Sequence, residues 1–385
     1  MANKSARPRV AIVTTVHRPF DTRIFHKQAV SLAAAGYDVV LIQRGEAPEV
    51  VKGVRVMPLP TARNRYVRVT WNCWLALRAA IATKATVYHL HDPELIPVGL
   101  VLKVLGKTVV YDVHEELSLV NDRAYIPAWA RRPLSWILGS VEALAGRFFD
   151  HIVASTYMIA ESFPAAEVTL IRNTPRLDEL AECGQMPFAN RPRQAFCAGG
   201  MAHYNGIDLM VAAMAAVPDE PSSRLVLGGE FLSVEDRERV LSAPGSERVD
   251  FLGWLDRPAL MREMGRSRVG LVLYRRTENS LRGDPIKLYE LMGSGLPVIV
   301  SDMPRWRDLV LKNNCGIMVD PENAAACAAA LSRILDDPEE AEAMGRRARA
   351  TILADYEWSV DEARLLGLYE QLSLKRNRGA RQAAL

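Results

Sequence analysis

Short apolar runs rich in β-branched residues alternate along the chain with stretches of helical periodicity. This alternation predicts parallel α/β sheets. In the first half the predicted strands are Arg9–Thr14, Asp38–Gln43, Val54–Met57, Thr86–His89, Thr108–Asp112 and His151–Ala154. A second series comprises Gln194–Ala198, Arg224–Gly228, Val249–Leu252, Arg268–Tyr274, Pro297–Ser301 and Gly316–Val319. We therefore expect two successive doubly wound, Rossmann-like units, which bind ligands at the carboxyl ends of their strands.

Changes in composition predict the domain boundaries. The polar, proline-containing segment 173–193 predicts a linker between a first domain of residues 1–172 and a second of residues 194–358. Residues 359–374 predict a helix, which we expect to return to the first domain, and residues 375–385 predict a mobile basic tail.

Composition excludes several classes of protein. With 385 residues, 49% hydrophobic and 24% charged, the chain has enough apolar material for two or three cores and is not a disordered or fibrous protein. Its five cysteines form no CxxC pair, so we expect a reducing compartment and no structural zinc. No apolar run reaches the roughly 18–20 residues of a spanning helix, and no cleavage site follows the first strand. A cytoplasmic protein is expected.

The net charge of +3 conceals an asymmetry between the two halves. Residues 1–172 carry 21 Lys and Arg against 14 Asp and Glu, whereas residues 173–385 carry 27 against 31. The first half is therefore the one expected to meet anions or an anionic membrane surface. Nucleic acid is not an expected partner, because the second half is acidic.

The strongest local signal is the segment from Asp284 to Val300. Asp284 suits an N-cap and Pro285 the first position of a short helix that follows a predicted strand. A helix N-terminus suits a phosphate, and Lys287 adds a cation within the first turn. Glu290 follows about 4.5 Å further along the same face, a separation that suits a diphosphate and its ribose. An ordinary surface pair between Lys287 and Glu290 remains the alternative.

The segment that begins at Lys287 and reads KLYELMGSGLPVIVS resembles the signature of nucleotide-sugar-dependent glycosyltransferases of the GT-B fold, particularly the retaining family 4. The resemblance covers nearly the whole chain. The other matching segments are 225–229, 249–254, 315–321, 89–93 and 111–115. It implies an α/β architecture of two Rossmann-like domains facing across a cleft, with the acceptor bound by the first and the donor by the second. It also implies that Glu290 holds the donor ribose and that Lys287 and Leu288 contribute to the donor site.

The resemblance further places His114 beside the donor sugar near the reacting carbon. His114 as a simple loop ligand is the alternative. Glu115, and beside it Glu116, are weaker catalytic candidates.

The loop that opens the second domain departs from the family pattern. Gly199 is present, but Gly200 stands where the family usually has Arg, and Asn205 stands where it has Lys. The first Glu of the family's paired-Glu motif is replaced by Arg282. Because a departing diphosphate needs positive charge, we expect Lys287 to supply it, together with Arg282 or the amides of Gly199 and Gly200.

The acceptor is expected at the polar loop after the first predicted strand. His17, Asp21 and Arg23 are its candidate ligands, although a structural pair between Asp21 and Arg23 is equally consistent with the sequence. His91, at the end of another strand, is expected to face the same site. His89, His91 and Asp92 could also indicate a metal, but no further ligand set joins them and no Asp-x-Asp pair occurs in the sequence. No metal or other cofactor is therefore expected.

Two segments of the first half mix Arg with Trp, residues 63–75 and 123–149. This combination suits the headgroup region of a bilayer, and ordinary amphipathic helices packed on the sheet are the alternative. If the segments contact lipid, the protein would be peripheral on the inner face of the cell membrane. Its acceptor would then be a saccharide linked to polyprenyl diphosphate, as in the synthesis of lipopolysaccharide and other polysaccharides.

The sequence thus predicts a glycosyltransferase that moves a sugar, here expected to be a hexose, from a nucleotide diphosphate to an acceptor hydroxyl, with retention. Two alternatives remain at this point. One is a sugar-nucleotide epimerase, which shares the architecture. The other is a non-catalytic nucleotide-sugar-binding subunit of a polysaccharide assembly complex, which the replaced residues Gly200, Asn205 and Arg282 would allow.

Overall fold

The structure, a computed structural model, describes residues 8–114, 128–176, 180, 183, 186–218, 222–277, 280–281, 283 and 285–382. The chain divides into two compact units. The first unit comprises Met1–Asn173 and Ser359–Leu385, and the second comprises Thr174–Trp358.

The first unit is built on one sheet of mostly parallel strands. Its described strands are β1 Arg9–Val13, β2 Asp38–Arg44, β3 Glu49–Val51, β4 Val54–Leu59, β5 Val87–Leu90, β6 Thr108–Val113, β7 His151–Ala154 and β8 Val168–Leu170. They lie in the order β3-β4-β2-β1-β5-β6-β7-β8. All neighbours are parallel except β3 and β4, which are antiparallel. The direction of winding reverses between β1 and β5, so ligand binding is expected beyond the carboxyl ends of these two strands.

The second unit is also built on a parallel sheet. Its described strands are β9 Gln194–Ala198, β10 Arg224–Gly228, β11 Val249–Gly253, β12 Val269–Val272, β13 Val298–Ser301 and β14 Gly316–Val319. They lie in the order β11-β10-β9-β12-β13-β14, and every neighbouring pair is parallel. Here the winding reverses between β9 and β12, which is where the loop of Gly199 and Gly200 begins.

Helices connect the strands in both units. Those of the first unit are α1 Val30–Ala34, α2 Arg65–Val67, α3 Cys73–Ala82, α4 Ile96–Val104, α5 Ala128–Phe148 and α6 Tyr157–Glu161, with π-helical segments at Thr22–Ala29 and Arg68–Asn72. Those of the second are α7 Ile207–Ala216, α8 Val234–Leu241, α9 Arg257–Arg266, α10 Ile286–Gly293, α11 Pro304–Val310, α12 Ala324–Asp336 and α13 Pro338–Asp355. The last helix is α14 Trp358–Gln382. Among the described helices, none combines the length and the apolar character that crossing a membrane requires.

The strands are buried because helices cover the sheets. On one side of the first sheet, α3, α4 and α5 pack against the apolar side chains of β1, β5 and β6. In the second unit, α7 and α12 cover one face and α10 and α13 contribute to the core on the other. Sheets covered in this way require nearly continuous apolar strands, which explains why short Val- and Ile-rich runs identified them.

The α/β fold class predicted from the sequence is confirmed, with local differences. Strands β3 and β8 were not predicted. Leu180, Cys183 and Phe188, in the segment predicted as a linker, are buried in the cores of the second unit. The last helix begins at Trp358 and continues to Gln382, so most of the predicted tail is helical. Lys375, the first residue of that predicted tail, forms an ion pair with Glu167 at 2.6 Å.

Candidate functional site

The loop after β9 is held in a close-packed conformation that requires glycine. Gly199 has a φ of +121°, and its N–H donates to the carbonyl oxygen of Gly228 at 2.9 Å. A Cβ at Gly229 would overlap the carbonyl oxygen of Gly199. The Asn205 side chain donates to the Gly200 carbonyl at 2.6 Å. Asn205, at the position where the family usually has lysine, is buried and stabilises the loop through this hydrogen bond.

Lys287 lies beside this loop. Its Nζ is 4.5 Å from the centre of the Tyr274 ring, and a Cβ at Gly199 would lie 3.6 Å from the same atom. Burial lowers the pKa of Lys287, but the neighbouring Cys197 and Tyr274 outweigh this effect and hold the pKa above its ordinary value. The side chain is consequently an ammonium ion at neutral pH, placed next to an exposed glycine.

Helix α10 carries Lys287 and is fixed by its apolar face. The helix begins at Ile286, with Pro285 as its N-cap, one residue later than predicted; the predicted N-cap, Asp284, lies outside the described residues. The Leu288 side chain is buried in the core, and its N–H donates to the carbonyl oxygen of Pro285 at 2.9 Å. Leu288 therefore anchors the helix, so that Lys287 is held at its start.

Glu290 lies one turn beyond Lys287 and has a partner that the sequence did not reveal. Its Oε1 accepts a hydrogen bond from Arg257 Nη1 at 2.6 Å. The carboxylate is mostly buried, whereas the guanidinium is partly exposed. Arg257 is the first residue of α9, whose N-cap Asp256 accepts from the N–H of Ala259. The alternative of a surface pair between Lys287 and Glu290 does not fit this arrangement, because Glu290 is paired elsewhere.

In the first unit, Asp92 organises the loop after β1. One of its carboxylate oxygens accepts hydrogen bonds from the Thr14 hydroxyl at 2.9 Å and from the Val16 N–H at 3.2 Å. The other lies 3.4 Å from His17 Nε2. Asp21 caps the following π-helical segment by accepting from the N–H groups of Arg23 and Ile24. Asp92, although part of a segment singled out from the sequence, was not predicted as a site residue.

A buried ion pair lies beneath this loop. The Arg23 guanidinium donates to both oxygens of Asp112, at 3.1 and 2.8 Å, and Gln28 donates to the same carboxylate at 2.6 Å. Burial raises the pKa of Asp112, but the guanidinium outweighs it and holds the pKa far below its ordinary value. Of the two interpretations that the sequence allowed for Arg23, a structural pair is observed, although with Asp112 rather than with Asp21.

Histidines gather around Asp112. His91 Nδ1 lies 3.1 Å from His114 Nε2 and 3.5 Å from an oxygen of Asp112. His17 packs against His114 with ring centres 4.5 Å apart, and the rings of His89 and His91 stack at 4.6 Å. Burial lowers the pKa of His114 and of His89 to about 4. The imidazoles of His89 and His114 are therefore neutral at pH 7 and offer hydrogen bonds rather than positive charge.

His89, His91 and Asp112 also form the kind of cluster that could hold a metal ion, since their ligand atoms lie within 4.8 Å of one another. The Asp112 carboxylate already accepts three hydrogen bonds from Arg23 and Gln28, and a metal cation there would face the guanidinium. The cluster therefore fits a carboxylate compensated by arginine better than a metal centre. That the protein needs no metal stays a prediction.

The structure thus brings the candidate residues together in two places. Gly199, Gly200 and Lys287 surround the end of β9 in the second unit, with Glu290 one turn along α10. His17, His91 and His114 meet in the first unit, with Asp21 at its loop. Glu115, Glu116 and Arg282 lie outside the described residues. Asp112 and Asp92 belonged to quoted segments, but Arg257 had no local signal apart from the helix start at Asp256.

Two family models match the chain, one in each half. The model described as "Glycosyl transferase 4-like domain" matches residues 22–174, and "Glycosyl transferases group 1" matches residues 184–351. A glycogen synthase of Mycobacterium tuberculosis is 24% identical over 407 residues, which cover 94% of this chain and 92% of the relative.

Solved structures agree with these matches at the level of the fold. A sucrose-phosphate synthase from Thermosynechococcus elongatus has a TM-score of 0.75 at 21% identity and covers 96% of this chain and 100% of its own. The Anabaena protein HepE in complex with UDP-glucose has a TM-score of 0.70 at 13% identity, covering 95% of this chain and 100% of its own. With a family model matched in each half and these neighbours across the whole chain, the protein belongs to the group 1 glycosyltransferases and has the GT-B fold.

Proposed function

We propose that the second unit of this glycosyltransferase binds a nucleotide diphosphate sugar at the loop of Gly199 and at helix α10. The observation that carries the proposal is the position of Lys287, whose ammonium group lies beside an exposed glycine at the reversal point of the sheet. A diphosphate approaching this loop meets a full positive charge and the start of a helix. HepE is a structural neighbour solved with UDP-glucose, so uridine diphosphate sugars are the first donors to test.

Glu290 is proposed to bind the donor ribose. A carboxylate accepts hydrogen bonds from two neighbouring hydroxyls, and Arg257 would keep the Glu290 carboxylate oriented while the ribose binds. Arg257 is proposed as a positioning residue, since it acts through Glu290.

The positive charge for the leaving diphosphate is proposed to come from Lys287, with Arg282 as the second candidate. Gly199 is a weaker source than the sequence indicated, because its N–H is already bonded to Gly228. Stabilising the charge that develops on the leaving group is usually the largest catalytic contribution. A lysine held in place by Tyr274 and α10 offers that charge without first having to be ordered.

The first unit is proposed to bind the acceptor through the loop of His17 and Asp21, with His91 and His114 behind it. In the retaining route, the glycosidic C–O bond breaks as the acceptor oxygen attacks the same face of the sugar, and an oxygen of the departing diphosphate takes the acceptor proton. The low pKa of His114 supports a role as a neutral hydrogen-bonding group. In an inverting enzyme a base would be needed, and Asp21, His114 and Glu115 are the candidates.

The acceptor is proposed to be a saccharide precursor of a cell-surface polysaccharide, including one linked to polyprenyl diphosphate, at the inner face of the membrane. The support is the charge asymmetry between the halves and the Arg- and Trp-rich segments of the first. The matched relatives carry different products in their names, glycogen in one and sucrose phosphate in another. The proposal for the acceptor is therefore based on the surface of this chain and not on those relatives.

Binding of uridine, guanosine and adenosine diphosphates, measured by calorimetry and thermal shift, tests the donor site. A ligand that binds only the native chain raises its apparent stability. Lys287→Ala and Glu290→Gln should each weaken binding at least about tenfold, the loss expected for one charged hydrogen bond. Lys312→Ala is the matched control, because Lys312 forms an exposed ion pair with Asp308. Equal affinity in wild type and Lys287→Ala would overturn the proposal, and the anomer of the product distinguishes retention from inversion.

A further inference from the structure

One surface of the first unit combines exposed tryptophans with basic side chains. We name it the Trp-Arg face and define it as the exposed side chains of residues 63–84, 97–107 and 129–148. Helices α3, α4 and α5 carry most of it and lie side by side against one side of the sheet, with α4 in contact with both neighbours. Their apolar faces are buried in the core, so the Trp-Arg face is the opposite, outward side.

The apolar content of this face is unusual for a water-exposed surface. Trp129 and Trp136 on α5 are 83% and 75% exposed, and Trp71 and Trp74 are 54% and 43% exposed. The last two stack with ring centres 4.8 Å apart. Between them on α4, Val104 is 88% exposed. Single exposed apolar residues are common, but a group spread over three adjacent helices marks an interaction surface.

The charges on this face are almost all of one sign. Residues 63–84, 97–107 and 129–148 contain ten Lys and Arg but one acidic residue, Glu142, which is buried. Glu94 and Asp150 lie at the border, where they pair with Arg68 and Lys103. The guanidinium of Arg78 lies 4.8 Å from the centre of the Trp74 ring, a cation–π contact that places a positive charge directly beside an indole. Any partner must therefore accept both apolar rings and a dense positive charge.

We infer that the Trp-Arg face is the surface by which this protein lies on an anionic phospholipid bilayer, with its tryptophans at the headgroup level. Indole rings favour that layer, and each Lys or Arg near an anionic surface strengthens the binding. A second copy of the chain fits poorly, because a two-fold contact would press the positive face against itself. This inference deepens the proposed function, since a lipid-linked acceptor would lie in the same bilayer.

Vesicle flotation of the full chain without any substrate tests the inference. Vesicles of phosphatidylcholine are compared with vesicles that also contain phosphatidylglycerol, at low and at high salt. We expect binding to the anionic vesicles that is at least about tenfold stronger than to neutral ones and that weakens with salt. Quenching of tryptophan fluorescence by brominated lipid should accompany it. Binding to neither vesicle, or equal binding to both, overturns the inference.

Variants locate the contact on the molecule. Trp71→Ser with Trp74→Ser should lower the fraction of the total tryptophan fluorescence that brominated lipid quenches, and Arg65→Glu with Arg132→Glu should weaken binding at least about tenfold. The matched control is Trp254→Ser with Arg262→Glu, which changes an exposed tryptophan and an exposed arginine of the second unit. Control and face variants that bind equally would overturn the assignment.

Two further measurements monitor the folding and the self-association of the variants. Circular dichroism and binding of uridine diphosphate by each variant show that the chain is folded. The nucleotide measurement also separates the two proposals, because a chain that floats with vesicles but binds no nucleotide refutes only the donor site. Sedimentation analysis tests the competing occupant: a dimer that the face variants dissociate, without any vesicle binding, overturns the inference.

Discussion

Removing the guanidinium of Arg23 is expected to destabilise the first unit strongly. Arg23 and Asp112 are both buried. The Asp112 carboxylate accepts two hydrogen bonds from Arg23 and one from Gln28. In Arg23→Met, a buried carboxylate is left with Gln28 as its remaining donor. Breaking a buried ion pair by removing one partner costs about 3–5 kcal/mol, and this site has no solvent to reduce that cost.

The pH dependence of this loss has a definite sign. In the wild type the pKa of Asp112 is far below its unfolded value, so its stabilisation is present above that unfolded value and is lost as pH falls through the folded one. In Arg23→Met, burial without the guanidinium raises the pKa of Asp112 above the unfolded value. The penalty is then largest at neutral pH and shrinks as protonation neutralises the carboxyl, so we expect a smaller loss at about pH 5 than at about pH 7.5.

Hydrogen exchange measures this effect within the unit concerned. Protected amides of β6, Thr108–Val113, report the free energy of opening around Asp112, and those of β13, Val298–Ser301, serve as a control in the second unit. Adding Asp112→Asn to Arg23→Met should restore stability in part, because the uncompensated charge is gone. A loss below about 1 kcal/mol at neutral pH, or a loss that grows toward pH 5, would refute the reasoning.

Three more predictions concern the second unit and the last helix. Gly206→Ala should cost at least about 3 kcal/mol by thermal unfolding, because φ is +67° and a Cβ would overlap the Leu273 carbonyl. Gly367→Ala, where a Cβ meets no atom within 4 Å in a helix, should instead stabilise by up to about 1 kcal/mol, and equal effects would contradict the steric argument. Arg257→Ala should weaken uridine diphosphate binding about three- to tenfold by releasing Glu290, which calorimetry checks. Unchanged affinity would show that Arg257 does not position the carboxylate.

The strands were predictable because burial on both faces leaves a continuous apolar run. Strands β7, β9, β10 and β14 begin and end where the sequence predicted, and the other predicted strands differ by one or two residues at an end. The sequence did not predict strand β3 because Glu49–Val51 is a short, exposed antiparallel edge strand, which needs no apolar pattern. The segment around Leu180 and Cys183 was predicted as a linker because most of its residues are polar or proline. Its two core residues, Leu180 and Cys183, are too few to form an apolar pattern.

The candidate site was predictable only where one local segment carries it. Lys287 and Glu290 share a helix, so their spacing was visible in the sequence. The pairs Glu290–Arg257 and Arg23–Asp112 join residues 33 and 89 positions apart, and no local pattern encodes them. Neither does sequence spacing reveal that a residue such as Arg23, which looked like an acceptor ligand on a polar loop, turns its side chain into the core.

The replaced residues of the glycine loop receive a physical account from these contacts. Asn205 is buried and donates a hydrogen bond to the Gly200 carbonyl. A long cationic side chain at position 205 would lose that hydrogen bond. Lys287 remains charged beside Gly199. In the first unit, burial keeps His114 and His89 neutral, and the buried carboxylate of Asp112 is compensated by Arg23. If the second unit binds the donor and the first unit binds the acceptor, as proposed, a lysine fixed beside the glycine loop and a neutral His114 suit a reaction in which the leaving diphosphate itself accepts the proton. In the proposed reaction, Lys287 would therefore supply more of the charge stabilisation than it would beside the Arg and Lys that the family usually has in this loop.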